Sequence, residues 1–243
     1  MKTKITSSAA ATQAMKALAT AERAASNAWF FKTGPGQYGE GDKFLGVTVP
    51  QTRSVLRDCD LPLSEQLKLL KSPWHELRLL AVLHLSRSFK QADPPQRKAI
   101  YDAYLAHTDY VNNWDLVDSS ASDIVGAYLF DRSRAPLLRL VKSKSLWERR
   151  IAVLATFYFI KQGETGDIIK LAGLLLNDKE DLMHKAVGWM LREMGGRGNM
   201  PGLLAFLDQH ATQMPRTMLR YAIEKLPEMK RQYYLKLPRQ NLP

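Results

Sequence analysis

The chain has 243 residues, with 35 Lys and Arg against 24 Asp and Glu, a formal charge of +11, and one cysteine. A lone Cys59 excludes an internal disulfide framework and a Cys/His metal cluster built around it, and suits a reducing cytoplasm. The longest apolar run, residues 151–160, falls short of the roughly 18 residues a membrane helix needs, so no membrane role is expected and a polyanion is the leading partner class.

The N-terminus is rich in Ala, Ser and Thr and carries Lys2 and Lys4. It lacks the sustained apolar core of a secretory signal; an amphipathic, acid-poor transit segment is the alternative. Residues 32–50 (KTGPGQYGEGDKFLGVTVP) hold five of the fourteen glycines. This stretch reads either as a loop packed on a binding groove or as a connector from the N-terminal helices. It has no P-loop spacing, and no cofactor is expected.

From there the period is helical. Leu77, Leu80, Ala81 and His84 fall at i, i+3, i+4 and i+7. In SPWHE, Ser72 is the expected N-cap, Pro73 lies in the first turn, and Glu76 is near the capping-box position. ADPPQ (92–96) opens the next helix. NNWDLVD (112–118) follows, inside a segment that otherwise reads as a buried helix. Trp114 and Asp118 share a helical face at i and i+4, whereas Asp115 is turned about 100° from the tryptophan. An indole beside a carboxylate suits a cation or a developing positive charge. The plainer reading is a core tryptophan, with Asp115 capping the helix or pairing with a lysine. SLWERRIAVL sets Trp147 and Arg150 at i and i+3, and KQGETGD closes that helix at Gly163. KAVGWMLREMG sets Trp189 and Arg192 at i and i+3, with Glu193 next, and Gly188 leaves room for a close neighbour. The segment 236–243 reads as a frayed tail.

Four helices share a polar start, a cation, then a small residue before a branched one. The small residues are Ala81, Ala152, Ala186 and Ala222, spaced by 71, 34 and 36; the first is about two periods of 35. A missing copy is expected near 117. Two helices per period of this length predict an all-α protein, an α-solenoid of HEAT-like helix pairs over 1–243 as one domain. Such stacking would gather the motifs on one concave, basic face.

NNWDLVD, WERRIAVL and KAVGWMLRE, in this order, resemble the motifs of bacterial DNA alkylation repair glycosylases built of HEAT-like repeats, the AlkD type. Residues 31–53 resemble the N-terminal region of many members, and the likeness runs from about Trp29 to Leu226. It implies excision of cationic N3- and N7-alkylpurines from double-stranded DNA by a cytoplasmic, monomeric bacterial enzyme. Asp118 would match the catalytic aspartate, Trp114 and Trp189 the aromatic pair that cradles the nucleotide backbone, and Arg150 the active-site arginine. The chain departs where many members have an aromatic pair in place of Asn113-Trp114, which bears on local packing and substrate range. Some members bind DNA with little or no excision.

The basic residues fit a DNA track. Seven Lys and Arg stand against one Glu over 132–150, and seven against two acids over 214–243. Roughly six to ten phosphate contacts would give steep salt dependence. Arg149, Trp147, Lys185, Arg192, Arg216 and Arg220 are the candidate DNA-binding residues. With no helix-hairpin-helix signature and no clear lysine nucleophile, the expected enzyme is monofunctional and leaves an abasic site. No histidine acid stands out, and a cationic leaving group needs none. The competing expectations are a non-catalytic module for damaged or branched DNA, and a scaffold for an acidic protein.

Overall fold

The computed structural model describes residues 4–238, which fall into two compact units, one ending at Ile124 and the other starting at Val125. Both are α-helical. Among the described residues there is no strand, only isolated bridges between Ile5 and Cys59 and between Lys43 and Trp74.

The first unit holds α1 (Ser8–Lys16), α2 (Ala21–Phe30), α3 (Val49–Asp58), α4 (Leu63–Leu70), α5 (His75–Gln91), α6 (Pro94–Leu105) and α7 (Trp114–Asp118). Side-chain caps set several starts. Thr48 and Gln51 form a capping box on α3, and Asp93 and Gln96 form one on α6, the start read from ADPPQ. Helix α5 is the centre of the unit, packed against α3, α4, α6 and α7. Thirteen of its seventeen residues are buried, including His75, Glu76, Arg78 and His84.

The start of α5 differs from the expectation. Trp74, not Ser72, is the N-cap, and the Ser72 hydroxyl accepts instead from the Trp74 amide at 3.1 Å. Glu76 caps nothing on its own helix. Its carboxylate accepts from the amides of Leu45 (2.9 Å), Gly46 (2.9 Å) and Val47 (3.2 Å), and from Asn27 Nδ2 (3.2 Å). Three amides on an extended strip of chain are a stronger attraction for a carboxylate than one end of a helix. The end of the glycine-rich stretch is therefore pinned to the start of α5. Gly46 has φ of +85°, and a Cβ there would fall 2.0 Å from the Thr20 carbonyl oxygen.

The second unit holds α8 (Ala127–Leu129), α9 (Ala135–Leu140), α10 (Leu146–Lys161), α11 (Gly166–Leu174), α12 (Asp181–Gly196), α13 (Met200–His210), α14 (Arg216–Ala222) and α15 (Glu228–Lys236). Helix α12 lies between α10 and α14, while α9 packs on α10, and α11 and α13 pack on α12. This alternation is the helix-pair arrangement the 35-residue period predicts. Ala81, Ala152, Ala186 and Ala222 are all at most 1% exposed, so the recurring small residue is a packing position. Gly188 serves the same end: a Cβ there would meet the Met218 carbonyl oxygen and Tyr221 Cβ, each at 2.5 Å. Gly188→Ala should lower the unfolding temperature by several degrees, although alanine is the better helix former by about 1 kcal/mol. A backbone oxygen cannot swing aside, so overpacking of about 1–3 kcal/mol outweighs the propensity gain; thermal denaturation measures it.

The copy expected near 117 is present but broken. Val117 is fully buried, yet α7 has only five residues, against seventeen in α5 and sixteen in α10 and α12. A turn, then a π-type turn over Ser122–Gly126, separates it from α8. Ser120 Oγ donates back to the Leu116 carbonyl at 2.6 Å, a bond that bends helices. Of the segment expected to fray, Lys236 closes α15, and residues 239–243 lie outside the described residues.

Candidate functional site: the α7 helix and its anchors

Helix α7 begins at Trp114 because Asn113, fully buried and extended, caps it: Asn113 Oδ1 accepts from the Trp114 amide at 2.8 Å. The amide group of the same Asn113 donates to Asp42 Oδ2 at 3.2 Å, tying the helix start to the glycine-rich segment. Polar capping of α7 is the physical use of Asn113. Trp114 is half-buried. It stacks on Phe31, with ring centroids 5.3 Å apart and planes 24° apart, and meets the edge of Phe30 at 6.0 Å. Asp118 lies one turn on and is also half-buried, and its charge helps raise the pKa of the buried Tyr104 hydroxyl, after burial itself.

Asp115 takes a different path. His75 donates from Nε2 to Asp115 Oδ2 at 2.8 Å and from Nδ1 to Asp42 Oδ2 at 3.0 Å. Asp42 is also paired with Arg78. The imidazole packs against Phe31 and Phe44, each with its centroid 4.7 Å away. Burial works to lower the His75 pKa, but two carboxylates outweigh it and push it up to about 9. Burial would raise Asp42, but His75 and Arg78 together hold it below its ordinary value. So the ring is a cation at neutral pH, bridging the 32–48 segment, α5 and α7.

The sign of the pH effect follows. His75 has a folded pKa above its unfolded value of 6.5, so its stabilisation is complete below 6.5 and is lost as pH rises toward 9. Asp42 is lowered from 3.8, so its share is present above 3.8 and is lost as pH falls below it. The network is strongest between those values. Unfolding free energy should drop by about 3 kcal/mol between pH 6.5 and 9.5, and His75→Gln should remove most of that slope. Chemical denaturation across that range tests it.

The other candidates belong to the second unit. Arg150 is 5% exposed, and its guanidinium donates to the Leu182 carbonyl at 2.6 Å. Trp189 is half-buried beside Phe157 at 6.2 Å, and Phe157 is covered by Lys161 (4.9 Å) and Arg197 (5.1 Å). Trp147 is half-buried at the first turn of α10. Arg149 pairs with Asp178 at 2.7 Å, and Lys185 with Asp181 at 2.8 Å. Arg192 is held by Glu224, with Glu193 at 3.8 Å. Arg216 donates to the Leu235 carbonyl at 3.1 Å, and Arg220 is exposed.

The model of the family described as DNA alkylation repair enzyme matches residues 11–226. The chain belongs to that family. No curated protein matches it. Among solved structures, a predicted DNA alkylation repair enzyme from Enterococcus faecalis is similar over 86% of this chain and 97% of that one, with a TM-score of 0.65 and 15% identity. At that identity the likeness is one of fold.

Within this member of the DNA alkylation repair enzyme family, the residues missed from sequence are His75, Asp42, Glu76 and Phe31. SPWHE reads as a helix start, and 40 residues separate its histidine from Asp115. The one available signal was excess: two carboxylates three residues apart in NNWDLVD, only one of which shares the face of Trp114. No group of His, Cys, Asp and Glu among the described residues is arranged to hold a metal ion, and no helix there is long and apolar enough to cross a membrane.

Proposed function

We propose that this member of the alkylation repair family is a monofunctional DNA glycosylase for purines carrying an N3- or N7-alkyl group, acting on duplex DNA in the cytoplasm as a monomer. The observation that carries the reading is α7: an indole and a carboxylate one turn apart, both partly open to solvent, on a helix start locked by Asn113 and Asp42.

Alkylation leaves the purine ring positive. When the bond from C1′ to the ring nitrogen breaks, its electron pair goes to the purine and cancels that charge. The sugar becomes oxocarbenium-like. Asp118 stabilises it and orients the water whose oxygen attacks C1′, and the water proton is lost to Asp118 or solvent. The face of Trp114 adds cation–π support of about 1 kcal/mol. Trp189 and Arg150 are assigned by resemblance to the backbone near the lesion. Because Arg150 already donates to Leu182, a phosphate there would share the guanidinium rather than own it.

Release of N7-methylguanine or N3-methyladenine from alkylated duplex DNA, followed by chromatography, tests the reading. Abasic product without strand cleavage is expected; no release above background would end it. The competing reading is a non-catalytic module for damaged DNA; the pairing of Arg149, Lys185 and Arg192 with acids bears equally on both. That reading predicts salt-sensitive binding with no abasic product.

Under either reading Arg220, exposed, supplies a phosphate contact more readily than those paired cations. Arg220→Ala should weaken duplex binding by a few-fold and flatten its salt dependence by about one unit of slope, while Arg149→Ala should act mainly on stability. Fluorescence anisotropy at several salt concentrations measures both.

A further inference from the structure

The first unit has a cavity of about 710 Å³ between α1, the end of α4 and the turn into α5. It is separate from the α7 site. Trp74 and Leu77 face this cavity, whereas His75, Glu76 and Leu79 line the side of α5 toward Trp114 and Asp115. Its volume is in the range of small-ligand sites, roughly 300–1,000 Å³.

The charge of the lining is one-sided. Lys16 comes from α1, Lys68 from α4 and Lys71 from the α4 C-cap, and no Asp or Glu lines the cavity. Glu65 pairs with Lys68 and offsets that charge, and its carboxylate is further engaged by the Ser8 amide at 2.8 Å and the Ser8 hydroxyl at 2.6 Å. Lys16 and Lys71 are exposed, and no carboxylate among the described residues pairs with either. Each stands at a helix C-terminus, where a cation also answers the helix dipole. The dipole explains one lysine per helix; it does not explain two helices delivering them to one acid-free hollow. The uncharged lining is amphipathic. Trp74 is half-buried and stacks on no other ring among the described residues, and Leu69 and Leu77 beside it are buried. Ser72 Oγ accepts from the Trp74 amide at 3.1 Å, which leaves its own O–H to donate.

We propose that this cavity binds a nucleoside monophosphate. Lys16 and Lys71, with Lys68 as a shared third, take the phosphate dianion, each ammonium acting as a point charge. The Ser72 hydroxyl donates to a phosphate oxygen, and the indole of Trp74 stacks on the base. A phosphodiester carries one charge per phosphate and a nucleoside carries none, so the terminal phosphate is the group the lysines select. Neither α7 nor the second unit takes part, so the site stands whether or not the protein excises bases.

The probe is AMP at pH 7.5, set against adenosine, with binding to the full-length protein followed by calorimetry and ligand-observed NMR at low salt. AMP should bind roughly ten-fold more tightly than adenosine. Lys71→Ala and Lys16→Ala, both at exposed positions, should each weaken AMP about five-fold. Lys230→Ala removes the same charge from α15 in the other unit and should bind AMP as wild type, which separates a built site from the general attraction of a basic protein. A hairpin duplex without a terminal phosphate should leave AMP bound. Equal affinity for AMP and adenosine, or an equal loss in Lys230→Ala and Lys71→Ala, would overturn the proposal. Displacement of AMP by the hairpin would overturn it too, by giving the cavity to the DNA backbone.

Discussion

Asp118→Asn should reduce the release of N7-methylguanine from alkylated duplex DNA at least 100-fold. The magnitude is that of removing one pre-placed electrostatic group from a transition state, about 3 kcal/mol or more. Asparagine keeps the shape and an acceptor oxygen, so what is lost is charge, at the moment the sugar becomes positive. Asp115→Asn is the contrast. Its carboxylate is bound to His75, so neutralising it weakens the link between α5 and α7. The expected result there is a lower unfolding temperature, with a smaller fall in excision that recovers on cooling. Equal release by Asp118→Asn and wild type would remove catalysis from α7 altogether.

The contrast shows what the sequence could and could not reveal. Helical period, caps such as Asp93 with Gln96, and the recurrence of Ala81, Ala152, Ala186 and Ala222 are local or evenly spaced, so they were legible without coordinates. So was the shared face of Trp114 and Asp118, which follows from helix geometry. The partner of Asp115 was not legible, because 40 residues and a glycine-rich segment stand between it and His75. SPWHE satisfied every local rule for a helix start, and the wrong N-cap and capping-box reading came from that consistency. Tertiary contacts won: Glu76 was drawn to three backbone amides instead of one helix end. The basic residues gave the clearest lesson. Counting charges locates a partner class, but Arg149, Lys185 and Arg192 are in ion pairs that a count cannot see.

Glu76 is also where stability should be most sensitive. It is 2% exposed, and its carboxylate organises four donors from two segments, the 45–47 strip and α2. Glu76→Ala leaves those donors buried and unmatched, at about 1 kcal/mol or more each, so a loss of about 4 kcal/mol is expected. At 2–4 °C per kcal/mol for a chain of this size, the unfolding temperature should fall by roughly 8–16 °C. Glu76→Gln keeps one acceptor but turns an NH₂ toward other N–H groups, so it should recover only about half. The loss should not stay local. Asp42 rides on the same segment and holds both His75 and Asn113, the cap of α7. Freeing residues 45–47 therefore loosens the helix that bears Trp114 and Asp118. In a double-mutant cycle, Glu76→Ala and His75→Gln together should cost less than their sum, because the first already releases what the second would break. Strict additivity would mean that the glutamate and the histidine hold separate structures, and that α7 is positioned by its own packing alone.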